Sequence, residues 1–157
     1  MIITLPNLEA TAGLANRLVP FLKAGDVIAL HGGLGAGKTT FCRSLISALL
    51  GTETEVPSPT YTLVQTYEGH THPIFHFDLY RLENPAEVFE LGWDETVDGI
   101  ALIEWPDRAG PHLPEWRLDL VLSVEPGTKT RTARLEPHGE DWQTRINELS
   151  SHTTSAD

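Results

Sequence analysis

Cysteine is nearly absent: Cys42 is the sole one in 157 residues, so no internal disulfide can staple the fold. Long apolar runs are missing too, none approaching the roughly 18 residues that cross a bilayer. Basic residues are scarce, with 11 Lys and Arg against 22 Asp and Glu and a net charge of −11. Phosphate backbones are gripped by Lys and Arg, so stable direct nucleic-acid binding is not expected. The one basic cluster, Lys129, Arg131 and Arg134, reads as a solvated strand edge. The first residues, Met1-Ile2-Ile3-Thr4-Leu5-Pro6, have neither a basic start nor a long apolar stretch, so a secretory leader is not expected. Together these features point to a reducing, cytoplasmic setting and no membrane span. The acidic balance also suits docking on a more basic protein partner.

What is present is an ordinary globular composition, 40% hydrophobic, and enough chain for one domain with a substantial core. Ile2 to Leu5 reads as a strand and Leu8 to Leu22 as a helix, with Asn7 as N-cap and a kink at Pro20. Val27 to Leu30 is a short, wholly apolar run, as in a strand buried on both faces of a parallel sheet. A glycine-rich loop follows, then a helix from Lys38 to about Leu50, ended by Gly51. Tyr61 to Glu68 and Ile74 to Asp78 read as strands. Pro85 to Leu91 reads as a short helix capped by Asn84. Ile100 to Glu104 is a second buried strand, and Trp116 to Val124 pairs with Thr130 to Glu136 as a hairpin. A last helix spans Glu140 to Leu149. This order predicts a single α/β domain over residues 1–149, three-layered around a mixed, mostly parallel sheet. The small, polar residues 150–157 read as a disordered tail.

Gly32-Gly33-Leu34-Gly35-Ala36-Gly37-Lys38-Thr39 matches the phosphate-loop pattern G-x-x-x-x-G-K-[ST] in full. Glycines let successive backbone N–H groups turn inward on an anion. The following helix adds its positive N-terminal end. Nucleotide phosphates are therefore expected against Gly33, Leu34, Gly35, Ala36, Gly37, Lys38, Thr39 and Thr40. Lys38 supplies a mobile cation to the β and γ phosphates, and the Thr39 hydroxyl is a Mg²⁺ ligand. The apolar strand before the loop and the amphipathic helix after it are the context this motif requires. Cys42, on that helix, reads as a packed small residue. His31, His70, His72 and His76 lack the spacing of a zinc set.

Asp78 and Glu104 each end an apolar strand, where the ligand crevice of an open α/β sheet lies. Both can therefore reach Mg²⁺ and the attacking water. Thr60 lies in a loop flanked by Pro57 and Pro59. It reads either as a γ-phosphate-sensing switch or as a rigid turn. Trp105 falls at the rim of the site. Arg81 and Arg108 are the arginine-finger candidates within the chain.

Four segments follow the loop in order: Ser58-Pro59-Thr60-Tyr61, His76-Phe77-Asp78-Leu79-Tyr80-Arg81, Leu91-Gly92-Trp93-Asp94-Glu95 and Glu104-Trp105-Pro106. With the Gly37-Lys38-Thr39-Thr40 loop they resemble the TsaE family, also called YjeE, over about Leu5 to Gly139. One departure is Gly33, where the family usually carries Asp. The resemblance implies a P-loop NTPase fold and a Mg²⁺-dependent ATPase of low intrinsic turnover, stimulated by partners. Those partners would be TsaD and TsaB, whose complex forms threonylcarbamoyladenosine at adenosine 37 of tRNA. The chain would not transfer the group itself. The resemblance suggests Glu104 as the metal-side acid and Asp78 as an acid near the γ-phosphate, so that Lys38, Asp78 and Glu104 carry catalysis. It places the purine near both termini, implicating Thr11 and Arg131. A small-molecule kinase would need an Arg-rich lid and an acceptor-binding segment, neither of which is found. A non-hydrolysing nucleotide-gated adaptor is the other alternative.

Overall fold

Four strands run parallel through the middle of the sheet, where burial on both faces favours largely apolar sequences. They are β2 (Val27–His31), β4 (Pro73–Asp78), β5 (Ile100–Glu104) and β6 (Arg117–Val124). The computed structural model describes residues 1–51 and 56–155. The remaining strands are β1 (Ile2–Leu5), β3 (Val64–Glu68) and β7 (Arg131–His138). One sheet of seven holds them all, in the order β1-β7-β6-β2-β5-β4-β3. β6 and β5 flank β2 in parallel, and β4 continues the parallel set beside β5. β3, β7 and β1 add on antiparallel.

One face is covered by α1 (Leu8–Leu18), α2 (Lys38–Leu50) and α3 (Glu140–Ser155). Leu14, Leu18, Phe41, Leu45, Trp142 and Ile146 pack there against Ile28, Leu30, Leu102 and Leu120. Each such fully buried side chain is worth about 1.5–3 kcal/mol over exposure. The other face is covered by three 3₁₀ segments, Pro85–Leu91, Trp93–Asp98 and Pro106–His112. Val88, Trp93 and Ala109 meet Phe77, Val27 and Ile103 there, with Trp93 edge-on to Phe77 at 5.0 Å between ring centroids. The expected three layers are present, the third built of short tight turns.

The sequence expectations for β1, β2, α2 and β5 agree with the structure to within a residue. Others differ for physical reasons. α1 stops at Leu18 and tightens to a 3₁₀ turn over Val19–Phe21, because Pro20 has no N–H to continue the α ladder. β3 starts at Val64, since Tyr61 to Leu63 wind into a turn. Leu63 has φ of 68°, its N–H donates to Pro59 O at 2.6 Å, and its carbonyl accepts from Asp78 N at 2.9 Å. α3 runs past Leu149 to Ser155, into the segment read as a tail; no Gly or Pro follows Leu149 to stop it, and the Ser151 hydroxyl bonds back to Asn147 O at 3.1 Å. Residues 156 and 157 of that tail lie outside the described residues. Among the described residues no helix is long and apolar enough to cross a membrane.

Candidate functional site

The phosphate loop leaves the C-terminal end of β2 and feeds α2, and two glycines in it hold positive φ with little space for a Cβ. Gly32 has φ of 148°, and a Cβ there would come within 2.5 Å of Leu122 O. Gly37 has φ of 103°, and a Cβ would press on the Arg131 guanidinium at 3.0 Å. Gly37 also N-caps α2 without any side-chain cap, so the first amides of the helix stay available to an anion. By contrast, a Cβ on Gly33 meets nothing within 4 Å, so a side chain at this position has room.

Lys38 is only 5% exposed. Its Nζ donates to Gly32 O at 2.5 Å and Gly33 O at 3.3 Å, and lies 3.4 Å from the Trp105 ring centroid. Burial pulls its pKa below the usual lysine value, against the opposing pull of Glu104 and then Asp78. Trp105 reaches this position through a left-handed backbone, φ 57°, unusual for a bulky residue. Tyr80 packs against the indole in a tilted arrangement at 5.0 Å between centroids.

The two carboxylates stand side by side. β4 and β5 pair in parallel with Asp78 opposite Glu104, both buried. The Thr39 hydroxyl donates to Glu104 Oε1 at 2.8 Å, joining the start of α2 to the end of β5. Glu104 Oε2 lies 2.6 Å from His76 Nε2. Asp78 Oδ2 accepts from the Thr60 hydroxyl at 3.1 Å, and its Oδ1 from Tyr80 N at 3.0 Å. Thr60 also shares a hydrogen bond with Ser58 at 2.7 Å. The Pro-flanked loop is thus tied to the strand-end acid.

These groups surround a cleft of about 380 Å³. Leu34, Gly35, Ala36, Gly37, Lys38, Thr39, Thr40, Thr60, Asp78, Glu104 and Arg131, all expected at the site from sequence, line it together with Trp105. Gly33 is not in the lining and contributes its carbonyl to Lys38 and, at 3.2 Å, to Ala36 N. Arg131, read from sequence as a purine contact, bonds the loop itself: Nε to Ala36 O at 2.9 Å and a terminal nitrogen to Gly35 O at 3.2 Å. It also borders a second cleft, of about 610 Å³, formed by Pro6, Asn7, Leu8, Glu9, Val124, Thr128 and Lys129. Thr11 lines neither cleft. It is buried in α1, its hydroxyl turned to Asn7 O at 3.5 Å, because the first turn presents Asn7 to Glu9 outward instead. Arg81 and Arg108 lie over Tyr61 and Tyr80, at 4.4 and 6.0 Å from the ring centroids, and neither is in the lining.

Three of the four histidines considered for a metal turn to separate partners: His31 bonds Asp119, His70 bonds Leu50 O and His76 bonds Glu104. Cys42 is buried, and desolvation, then the charges of Glu104 and Asp78, hold its thiol well above the ordinary range, which suits packing rather than attack. The residue that sequence reasoning missed is His76. Its signal was its position two residues before Asp78 on one strand, which puts both side chains on one face.

The donors fit a magnesium nucleotide. A hydroxyl and a carboxylate, both hard oxygen ligands, meet at the mouth of an amide-lined loop beside one lysine, as Mg²⁺ with phosphate requires.

A family model described as "Threonylcarbamoyl adenosine biosynthesis protein TsaE" matches residues 5–133. The tRNA threonylcarbamoyladenosine biosynthesis protein TsaE of Rickettsia conorii is 47% identical over 141 residues, covering 89% of this chain and 81% of its own. The Bacillus subtilis protein of the same name is 36% identical over 148 residues, covering 93% and 91%. The crystal structure of Bacillus subtilis YdiB matches with a TM-score of 0.81 at 31% identity, covering 98% of this chain and 95% of that one. The chain belongs to the TsaE family, whose role lies in tRNA threonylcarbamoyladenosine biosynthesis.

Proposed function

We propose that residues 1–149 form a Mg²⁺-dependent ATPase domain that binds ATP in the phosphate-loop cleft and hydrolyses it slowly. The observation that carries this is the Thr39–Glu104 hydrogen bond at 2.8 Å, set beside Lys38 in a complete phosphate loop. It joins a metal-ligating hydroxyl to a strand-end acid, as magnesium-dependent phosphoryl chemistry needs. Bound Mg²⁺ supplies neutralisation of the phosphate charge, with Thr39 and Glu104 holding it. Loop amides from Leu34 to Thr40 and the Lys38 ammonium take the phosphates. Asp78, tied to Thr60, stands where it can orient water near the terminal phosphate and sense its presence through the Thr60 loop. The second cleft, beside Asn7 and Arg131, offers a place for the purine.

In the cell the domain serves a TsaD–TsaB complex in the cytoplasm that forms threonylcarbamoyladenosine on tRNA, without transferring the group. With neither Arg81 nor Arg108 in the cleft lining, the partner complex is the source of stimulation. ATP turnover measured for the chain alone, with the TsaD–TsaB complex, and with Mg²⁺ removed tests this. Slow release of phosphate, raised by the complex and abolished without Mg²⁺, is expected. Tight ATP binding with no release under any condition would instead favour a nucleotide-gated adaptor, and a phosphorylated small molecule in place of free phosphate would favour a kinase.

A further inference from the structure

His76 is fully buried and contributes nothing to the apolar contacts that its neighbours Phe75 and Phe77 make on the opposite face of β4. Its ring lies on the α2 side of the sheet, two residue pairs in from the strand end: His76 is opposite Leu102 where Asp78 is opposite Glu104. Nε2 is 2.6 Å from Glu104 Oε2, while Nδ1 has no hydrogen-bond partner among the described residues. A bare ring nitrogen in a dry core costs less as an acceptor than a stranded N–H, so the ring proton belongs on Nε2, donating to Glu104. Glu104 is then held at both oxygens, by Thr39 from α2 and by His76 from β4.

We propose that His76 is a positioning residue: it fixes the Glu104 carboxylate so that the acid and the Thr39 hydroxyl present one preformed oxygen pair to Mg²⁺. This rests on reading the cleft as a Mg²⁺–ATP site. A glutamate has three rotatable bonds, and one buried hydrogen bond leaves its head free to pivot. The second anchor removes that freedom and satisfies an oxygen that the core otherwise leaves bare. Such supporting contacts are worth about 10–100-fold in metal affinity.

Three full-chain variants separate positioning from filling. His76→Leu removes the donor. His76→Asn places an N–H near the Nδ1 position, too short to reach Glu104. His76→Gln places one near the Nε2 position. The readout is binding of a fluorescent ATP analogue with Mg²⁺ and in EDTA, with thermal melting as the check on folding. The gain in affinity that Mg²⁺ confers should fall about 10–100-fold in the Leu and Asn variants and be restored in the Gln variant, while affinity in EDTA stays unchanged in all. If every variant retains the parent's Mg²⁺ gain, or if Gln is as impaired as Leu, His76 does not position Glu104. If the parent itself binds no nucleotide in either condition, the reading of the cleft fails and takes this inference with it. Should the Leu variant not fold, the contrast between Asn and Gln decides.

Discussion

Thr39 Oγ1 and Glu104 Oε1 lie 2.8 Å apart although 65 residues separate them in the chain. The bond connects the first turn of α2 to the last residue of β5, so the geometry of the phosphate loop is set by the sheet. Glu104→Gln keeps an oxygen for the Thr39 hydroxyl and removes the charge. Phosphate release should fall by about 10²–10³-fold, the scale of losing one preorganised electrostatic contact, with little change in nucleotide affinity in EDTA. Single-turnover assays beside equilibrium binding check this, and an unimpaired rate would remove Glu104 from the chemistry.

Arg131 grips the loop from the wall of the cleft. Its two hydrogen bonds to Ala36 O and Gly35 O fix the backbone of the loop at those two residues. Hydrogen bonds from a charged donor contribute about 1.5–3 kcal/mol. Arg131→Ala should weaken nucleotide binding by roughly tenfold or more. Arg131→Lys should recover little of that, because an ammonium cannot match the two-pronged guanidinium geometry. Titration of a fluorescent nucleotide into the three proteins distinguishes a positioning role from bulk charge, which Lys would restore.

Much of this was legible in the sequence, for reasons that differ by element. β2 and β5 read cleanly because burial on both faces leaves no polar residue until His31 and Glu104. The loop read cleanly because Gly32, Gly35 and Gly37 hold positive φ values that favour glycine. Tyr61 to Leu63 misled: their strand propensity is overridden by the need to bring Thr60 against Asp78. The 3₁₀ segments after Gly92 and Trp105 span six and seven residues, too short to show a helical period. His76 was visible as a residue but not as a contact, since its link to Glu104 depends on the parallel register of β4 and β5, which no local pattern encodes.

Trp105 and Lys38 predict an optical signal. The ammonium sits 3.4 Å from the indole centroid, a cation–π contact within the attractive range. Phosphate binding draws Lys38 toward the anion and so away from the ring. Tryptophan emission should therefore change when ATP is added, and the change should vanish in Trp105→Phe while the other three tryptophans remain. A signal that persists in Trp105→Phe would assign it elsewhere.

Asp119 predicts how stability depends on pH. Its carboxylate, 7% exposed, accepts from His31 Nε2 at 3.0 Å, from Arg117 at 2.9 and 3.2 Å, and lies 2.7 Å from His138 Nε2. Burial alone raises its pKa, but the hydrogen bonds from His31 and Arg117 and the guanidinium charge outweigh it and bring it down from 3.8 to about 2. A carboxylate depressed in the folded state stabilises it above the unfolded pKa, and that contribution is lost as pH falls through the folded value. It is therefore whole at neutral pH and disappears between about pH 4 and pH 2, and it is worth about 2 kcal/mol. Asp119→Asn, which cannot ionise, should be less stable than the parent by about that amount at pH 7, with the gap closing as pH falls across the window. Urea unfolding of both proteins from pH 7 down to pH 2 measures the gap directly. A gap that stays constant with pH would mean that Asp119 stabilises the sheet through packing and neutral hydrogen bonds, and that its charge adds nothing.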